Sequence, residues 1–146
     1  VKRLRRRFWK GFLNRHGNNK KKFLDGTLPG GSKDRASIRV ASIVPFIVMK
    51  GMALHDRVKE KDAYDIYFCI RNYPGGIDEL AKEFLPFLNN QLVKEGLGKI
   101  AEKFLSPDHF GPVSIADFYE ITEIEERMIL QRDAFERVNA LLQKLS

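Results

Sequence analysis

The stretch Met49-Lys50-Gly51-Met52-Ala53-Leu54-His55-Asp56-Arg57-Val58-Lys59-Glu60-Lys61-Asp62-Ala63-Tyr64-Asp65 sets a lysine, an arginine and paired aspartates where an apolar run ends. Immediately upstream, Ile43 to Val48 is almost entirely apolar. A helix carrying Lys50 is therefore expected to lie largely inside the protein, where an unpaired ammonium costs several kcal/mol. Lys50 needs either a partner or a ligand. Pro45 fits the first turn of such a helix, because its missing N–H has no intrahelical acceptor there, and the pattern carries the helix to about Val58.

The next helix is expected from Asp62 to Asn72, stopped by Tyr73-Pro74-Gly75-Gly76. A third begins at Ile77, with Asp78 and Glu79 favourable at its positive end. Pro86 should break or kink that segment. A further helix runs from about Asn90 to Leu105 and tolerates Gly96 and Gly98 at some cost. Ser106 to Pro112 reads as a loop. The last helix, Glu123 to Leu145, places Ile124, Met128, Gln131, Phe135, Val138, Leu142 and Leu145 on an alternating three-and-four spacing, a packing stripe just over three heptads long that favours docking on the domain's own core over a dimeric coiled coil.

Ahead of the helices, alternation of Ile38 and Val40 against Arg39 marks a strand from Ser37 to Ala41, and another is expected around Phe23. The Gly- and Pro-containing segment Asp25 to Ser32 between them makes a hairpin the economical connection. Gly30-Gly31-Ser32-Lys33 lacks the full spacing of a phosphate-binding Walker A loop and leads into a strand, so it reads as the turn. The expected fold class is α+β and mainly helical. A small N-terminal β-hairpin or remnant sheet, residues 1–43 together with a basic helix, packs on a C-terminal bundle of about five helices over 44–146.

Composition sets further bounds. The chain of 146 residues suits a single domain with a real core. Cys69 is its one cysteine, so there is neither an internal disulfide nor a cysteine-based zinc site, which suits a reducing cytoplasm. The apolar run at Ile43 to Met49 is too short to span a bilayer. Residues 1–39 hold 13 Lys/Arg against 2 acids, a net +11 in a chain of net +7, so residues 40–146 carry −4. An arm with Arg5, Arg6, Arg7 and Lys10 around Phe8, Trp9 and Phe12 is a candidate for RNA or DNA contact through charge and stacking. The same spacing of Leu4, Phe8 and Phe12 also describes a plain surface helix.

The chemistry concentrates in the opening stretch. Lys50 and Arg57, two helical turns apart, share a face, and Asp62 and Asp65 share a face of the next helix. A short link can fold the two faces together. Carboxylates beside basic residues can hold magnesium and pair a triphosphate, or can form a salt-bridge cluster in which cations offset the desolvation of buried aspartates. Histidines 16, 55 and 109 are far apart and suggest no metal site. Cys69, beside Ile70 on an apolar face, reads as a small core residue.

Lys50-Gly51-Met52-Ala53-Leu54-His55-Asp56-Arg57 followed by Lys61-Asp62-Ala63-Tyr64-Asp65-Ile66-Tyr67 resembles the later motifs of the AbiEii/AbiGii-type nucleotidyltransferase toxin family. The likeness extends from roughly Ile38 to the C-terminus and includes the break at Arg71-Asn72-Tyr73-Pro74-Gly75-Gly76. It implies a polymerase-β-like fold with a helical C-terminal part and magnesium-dependent transfer of a nucleotide from an NTP to an acceptor such as RNA. The setting it implies is toxin–antitoxin or phage defence, with a cognate antitoxin as partner. Carried onto this chain, Lys50, Asp62 and Asp65 are the catalytic candidates. Lys50, Arg57 and Lys61 are the substrate-binding ones, with Arg57 bracing the aspartates. The family's early Gly-Ser and Asp-x-Asp motif, which supplies the metal-holding carboxylates, has no counterpart here, since Gly31-Ser32 is followed by no Asp-x-Asp. The resemblance therefore implies a truncated or degenerate member, the C-terminal portion of a larger enzyme whose N-terminal lobe is missing, and an isolated chain that is inactive or barely active.

Overall fold

The structure is a computed structural model and describes residues 19–146. The basic helix expected around Leu4 to Leu13, with Arg5, Arg6, Arg7 and Lys10, lies outside the described residues. Within them an antiparallel hairpin precedes six α-helices, so the fold is α+β and mainly helical. Backbone contacts divide the chain into two units, one ending at Pro45 and the other beginning at Phe46.

The hairpin pairs β1 (Asn19–Thr27) with β2 (Lys33–Ala41) in a register that sets Lys21 opposite Arg39, Phe23 opposite Ser37 and Asp25 opposite Arg35. The connection is shorter than the expected loop. Leu28 and Ser32 close it through an N–H···O bond of 2.9 Å, and the Gly31 N–H donates to the Leu28 carbonyl at 2.8 Å. Pro29 presets the first corner, and Gly31 takes φ +82°, the left-handed conformation that three-residue hairpin loops require. Gly30 and Gly31 thus serve the turn. Period-2 alternation puts Lys21, Phe23, Asp25, Lys33, Arg35 and Arg39 on one face and Leu24, Ile38 and Val40 on the other.

The helix α1 (Ile43–Arg57) begins just before the second unit, carries Pro45 in its first turn and buries Ile47, Val48, Met52 and Leu54. It ends where Val58 adopts φ 51°. α2 (Glu60–Asn72) follows after Lys59 and stops at the Pro74-Gly75-Gly76 break, where both glycines have positive φ. α3 (Gly76–Phe84) leads into a 3-10 turn, Leu85–Phe87, that absorbs Pro86. α4 (Gln91–Lys103) is capped by the Asn90 side chain, which accepts from the Leu92 N–H at 2.9 Å. α6 (Ile124–Lys144) is capped by Glu123, whose carboxylate accepts from the N–H groups of Glu125 and Glu126.

Two expectations need correction. The segment expected as a loop through Pro112 already contains the start of a helix, α5 (Phe110–Phe118), with Gly111 and Pro112 buried in its first turn. Proline costs no hydrogen bond in a first turn, so the helix can begin ahead of it. The packing face of α6 is also turned from the expected stripe. Gln131, Ala134, Val138 and Leu141 are buried, whereas Ile124 and Met128 are exposed and Phe135 and Leu142 sit at the rim. The small Ala134 lets α6 approach its neighbours more closely than Phe135 would.

α6 runs against α2, α3, α4 and α5, and α2 also packs on α3 and α5. Ile66, Tyr67, Leu80, Phe84, Ile115 and Leu141 form the centre. No helix among the described residues is long and apolar enough to cross a membrane.

Candidate functional site

The end of α1 and the start of α2 bring together all five site residues expected from Lys50 to Asp65. The Lys50 ammonium lies 3.0 Å from Asp62 Oδ1 and 2.5 Å from Asp65 Oδ2. Arg57 donates to both oxygens of Asp62, Nε to Oδ2 at 2.7 Å and Nη2 to Oδ1 at 2.8 Å, the planar fork of a bidentate pair. Lys61, one turn before Asp65, donates to its two oxygens at 2.8 and 3.1 Å. The local cause is periodicity. Seven residues return Arg57 to the face of Lys50, and three residues hold Asp62 and Asp65 together. The extended Lys59 then reverses the chain between the helices.

Burial grades the cluster. The Asp62 side chain is 1% exposed and that of Lys50 14%, while Arg57 is half exposed and Lys61 mostly so. A carboxylate removed from water this completely is held by its cations. Burial alone would raise the Asp62 pKa, but hydrogen bonds from Arg57 and Lys50 keep it below the ordinary carboxylate range. Burial would likewise lower Lys50, yet the Asp65 and Asp62 carboxylates hold its ammonium above the usual lysine value. Both groups stay charged at neutral pH. Phe46, one turn before Lys50 on α1, sets its ring 5.6 Å from the ammonium, a contact whose only sequence signal is the i, i+4 spacing.

The pair of aspartates does not fit a magnesium site. Every carboxylate oxygen of Asp62 and Asp65 already accepts from Lys50, Arg57 or Lys61. Three cations around two carboxylates repel a divalent ion, which needs several free oxygens. Among the described residues no cluster of three His, Cys, Asp or Glu side chains could hold a metal ion. Cys69 has its thiol pushed up to about 11 by burial and by Asp65, which keeps it protonated and inert at neutral pH.

A second polar group went unread in the sequence. The buried Tyr67 donates its hydroxyl to Asp133 Oδ2 at 2.6 Å and accepts from Arg71 Nη1 at 3.0 Å, while Arg137 Nε donates to both Asp133 oxygens at 2.8 and 2.9 Å. It ties α2 to α6 across 66 positions of sequence. The pairs Tyr67/Arg71 and Asp133/Arg137, each four apart, were its only visible halves. Nearby, the rings of Tyr64 and Phe118 stack at 4.3 Å. Arg5, Arg6, Arg7 and Lys10, the expected nucleic-acid contacts, lie outside the described residues.

No family model matches this chain, and neither does any curated protein or solved structure.

Proposed function

We propose that this chain is a nucleotidyltransferase-family protein and that the Lys50 cluster is the nucleotide-phosphate half of its site. The supporting observation is the surplus charge around a partly open lysine. Lys50, Arg57 and Lys61 bring three positive charges to two carboxylates, and among the described residues Asp62 and Asp65 take two of the three N–H bonds of the Lys50 ammonium. A cluster that served only to neutralise its own buried aspartates would have no need of the third cation. The remaining N–H and the excess charge suit a phosphate oxygen of an NTP. Asp62 and Asp65 position that lysine, Arg57 braces Asp62, and Lys61 stands at the exposed rim to meet further phosphate charge.

The proposed chemistry is transfer of a nucleotide to an acceptor such as RNA, in the cytoplasm and beside an antitoxin. Magnesium would serve that chemistry, but its ligands are not the aspartates of this cluster. The isolated chain is accordingly expected to bind nucleotide with little or no turnover.

Calorimetric titration with each of the four NTPs, with and without magnesium, tests the reading. The native chain should bind, and Lys50→Ala and the joint Asp62→Asn, Asp65→Asn variant, each checked for folding, should not. Absence of binding to the native chain would make the cluster a structural ion-pair network. Robust magnesium-dependent incorporation of labelled nucleotide by the purified chain would overturn the expected inactivity.

A further inference from the structure

The hairpin carries a feature unrelated to the Lys50 cluster. Lys21, Lys33, Arg35 and Arg39 share one face of the ribbon with Phe23, and Asp25 is the one acid among them. Phe23 is 58% exposed, and its ring is flanked by Lys21 Nζ at 5.5 Å and by the Arg35 guanidinium at 5.9 Å. Asp25 pairs with Arg35, Nε to Oδ1 at 2.6 Å, but both side chains are 68% exposed. Such a pair contributes little to stability and exchanges readily for another anion. Every side chain of β2 is exposed.

A solvent-facing phenyl ring set between cations is poorly explained as packing. Bases stack on an aromatic face regardless of sequence, and a stacked base keeps its own phosphates within a few ångströms of the ring's edge. The spacing of opposite and diagonal residues on a β-ribbon sets Lys21 and Arg39 on one side of Phe23 and Lys33 and Arg35 on the other, a line of charge suited to the backbone of a strand. Inside a duplex the base faces are buried in the stack and the grooves show only base edges, so the exposed ring favours unpaired nucleotides. We infer that this face of the hairpin binds single-stranded nucleic acid, with Phe23 stacking on a base and Lys21, Lys33, Arg35 and Arg39 contacting phosphates.

The test is fluorescence anisotropy of the full chain with a labelled 12-nucleotide single strand, as RNA and as DNA, and with a duplex of equal length, over a series of salt concentrations. Phe23→Leu keeps an apolar strand residue but removes the π face. It should weaken single-strand binding by roughly 5- to 100-fold while leaving duplex binding unchanged, and Phe23→Trp should restore it. The joint Lys21→Gln, Lys33→Gln, Arg39→Gln variant should reduce the slope of log affinity against log salt by about 2. Arg132→Gln, which removes an exposed cation of α6, should bind the single strand like the native chain. Any of three results overturns the inference: no binding by the native chain, unchanged single-strand affinity in Phe23→Leu, or loss only when Arg5, Arg6 and Arg7 are neutralised.

Discussion

Gly51 and Gly96 meet where α1 crosses α4, so closely that a Cβ built on Gly51 would lie 2.7 Å from the Gly96 carbonyl oxygen and 2.7 Å from Ile100 Cγ1. A Cβ on Gly96 would meet Val48 Cγ1 at 2.7 Å and the Val48 carbonyl at 3.0 Å. Two glycines, each a poor helix former, are kept because they allow two backbones to touch. Since Gly51 adjoins Lys50, this crossing also fixes where the charge cluster sits against the core.

Gly51→Ala and Gly96→Ala should each destabilise the protein by about 1–3 kcal/mol, because the added methyl meets backbone that cannot give way. Gly98→Ala is the control. It is exposed on the same helix with nothing within 4 Å of its Cβ position, so it should stabilise by about 0.5–1 kcal/mol. Urea unfolding of the three variants should show opposite signs. Equal effects at positions 96 and 98 would remove the crossing as an explanation.

Val58 offers a second place where one substitution should help. A β-branched residue at φ 51° is strained, and this is the position after a helix where glycine is preferred. Its side chain is half exposed and gives up little packing. Val58→Gly should raise stability by about 1 kcal/mol, net of the entropy that glycine adds to the unfolded chain. A fall in the unfolding midpoint would refute this.

Asp62→Asn leaves the buried Lys50 and the Arg57 fork without their shared carboxylate. A cost of about 3–5 kcal/mol is expected, the range for breaking one side of a buried pair. Asp65→Asn should cost less, since Asp65 keeps more contact with water. A double-mutant cycle between Asp62 and Arg57 should show coupling, and additive effects would mean that the fork contributes nothing specific.

The pH dependence follows from the same groups. Asp62 and Asp133 both have folded-state pKa values below the ordinary range. Burial opposes that shift in each, and for Asp133 the hydrogen bonds from Arg137 and Tyr67 outweigh it. Their contribution is complete above the unfolded aspartate value of about 4 and disappears as pH falls through the lower folded values. Lys50 is shifted upward, and Tyr67 is pushed up to about 12 by burial and by Asp133. Their contribution is complete below unfolded values of about 10 and disappears as pH rises through the folded ones. Cys69, whose thiol is pushed up to about 11 in the fold, adds to the alkaline side from its lower unfolded value of roughly 8.5, so stability measured by denaturant should be flat between roughly pH 5 and 8 and fall on both sides. Asp62→Asn should flatten part of the acid limb, and an unchanged limb would assign it elsewhere.

Tyr67→Phe removes the hydroxyl between Asp133 and Arg71 and should cost about 1.5–3 kcal/mol, the range for a buried hydrogen bond to a charged group. Asp133 would retain Arg137, so the loss should be smaller than for Asp62→Asn. Thermal unfolding of the two variants side by side checks the order.

What could be read from the sequence was whatever one short segment encodes. Pro45, the Tyr73-Pro74-Gly75-Gly76 break and the alternation at Ile38 to Val40 each act on their own neighbours, and each marked its element. The Lys50 cluster was legible for the same reason, since helical spacing alone puts its four central members on two facing surfaces. Readings failed where a distant partner decides. Ser106 to Pro112 read as a loop because nothing in the segment itself marks a helix start at Phe110. The buried face of α6 went to Ala134 and Leu141 because four other helices determine how closely α6 can approach. Tyr67 and Asp133, far apart along the chain, left no joint signal.

The charge cluster also has a kinetic and modular meaning. Its side chains come from residues 50–65, and Lys50 and Asp62 are only twelve positions apart, so the chain closes just a small loop to assemble them. Loops of that size form in tens of nanoseconds, long before contacts such as Tyr67 to Asp133 can be sampled. The pairing can therefore guide collapse instead of waiting for it. A cluster written in one uninterrupted segment also carries its ion pairing with it, and only its seating against the core, at the Gly51–Gly96 crossing, is set from afar.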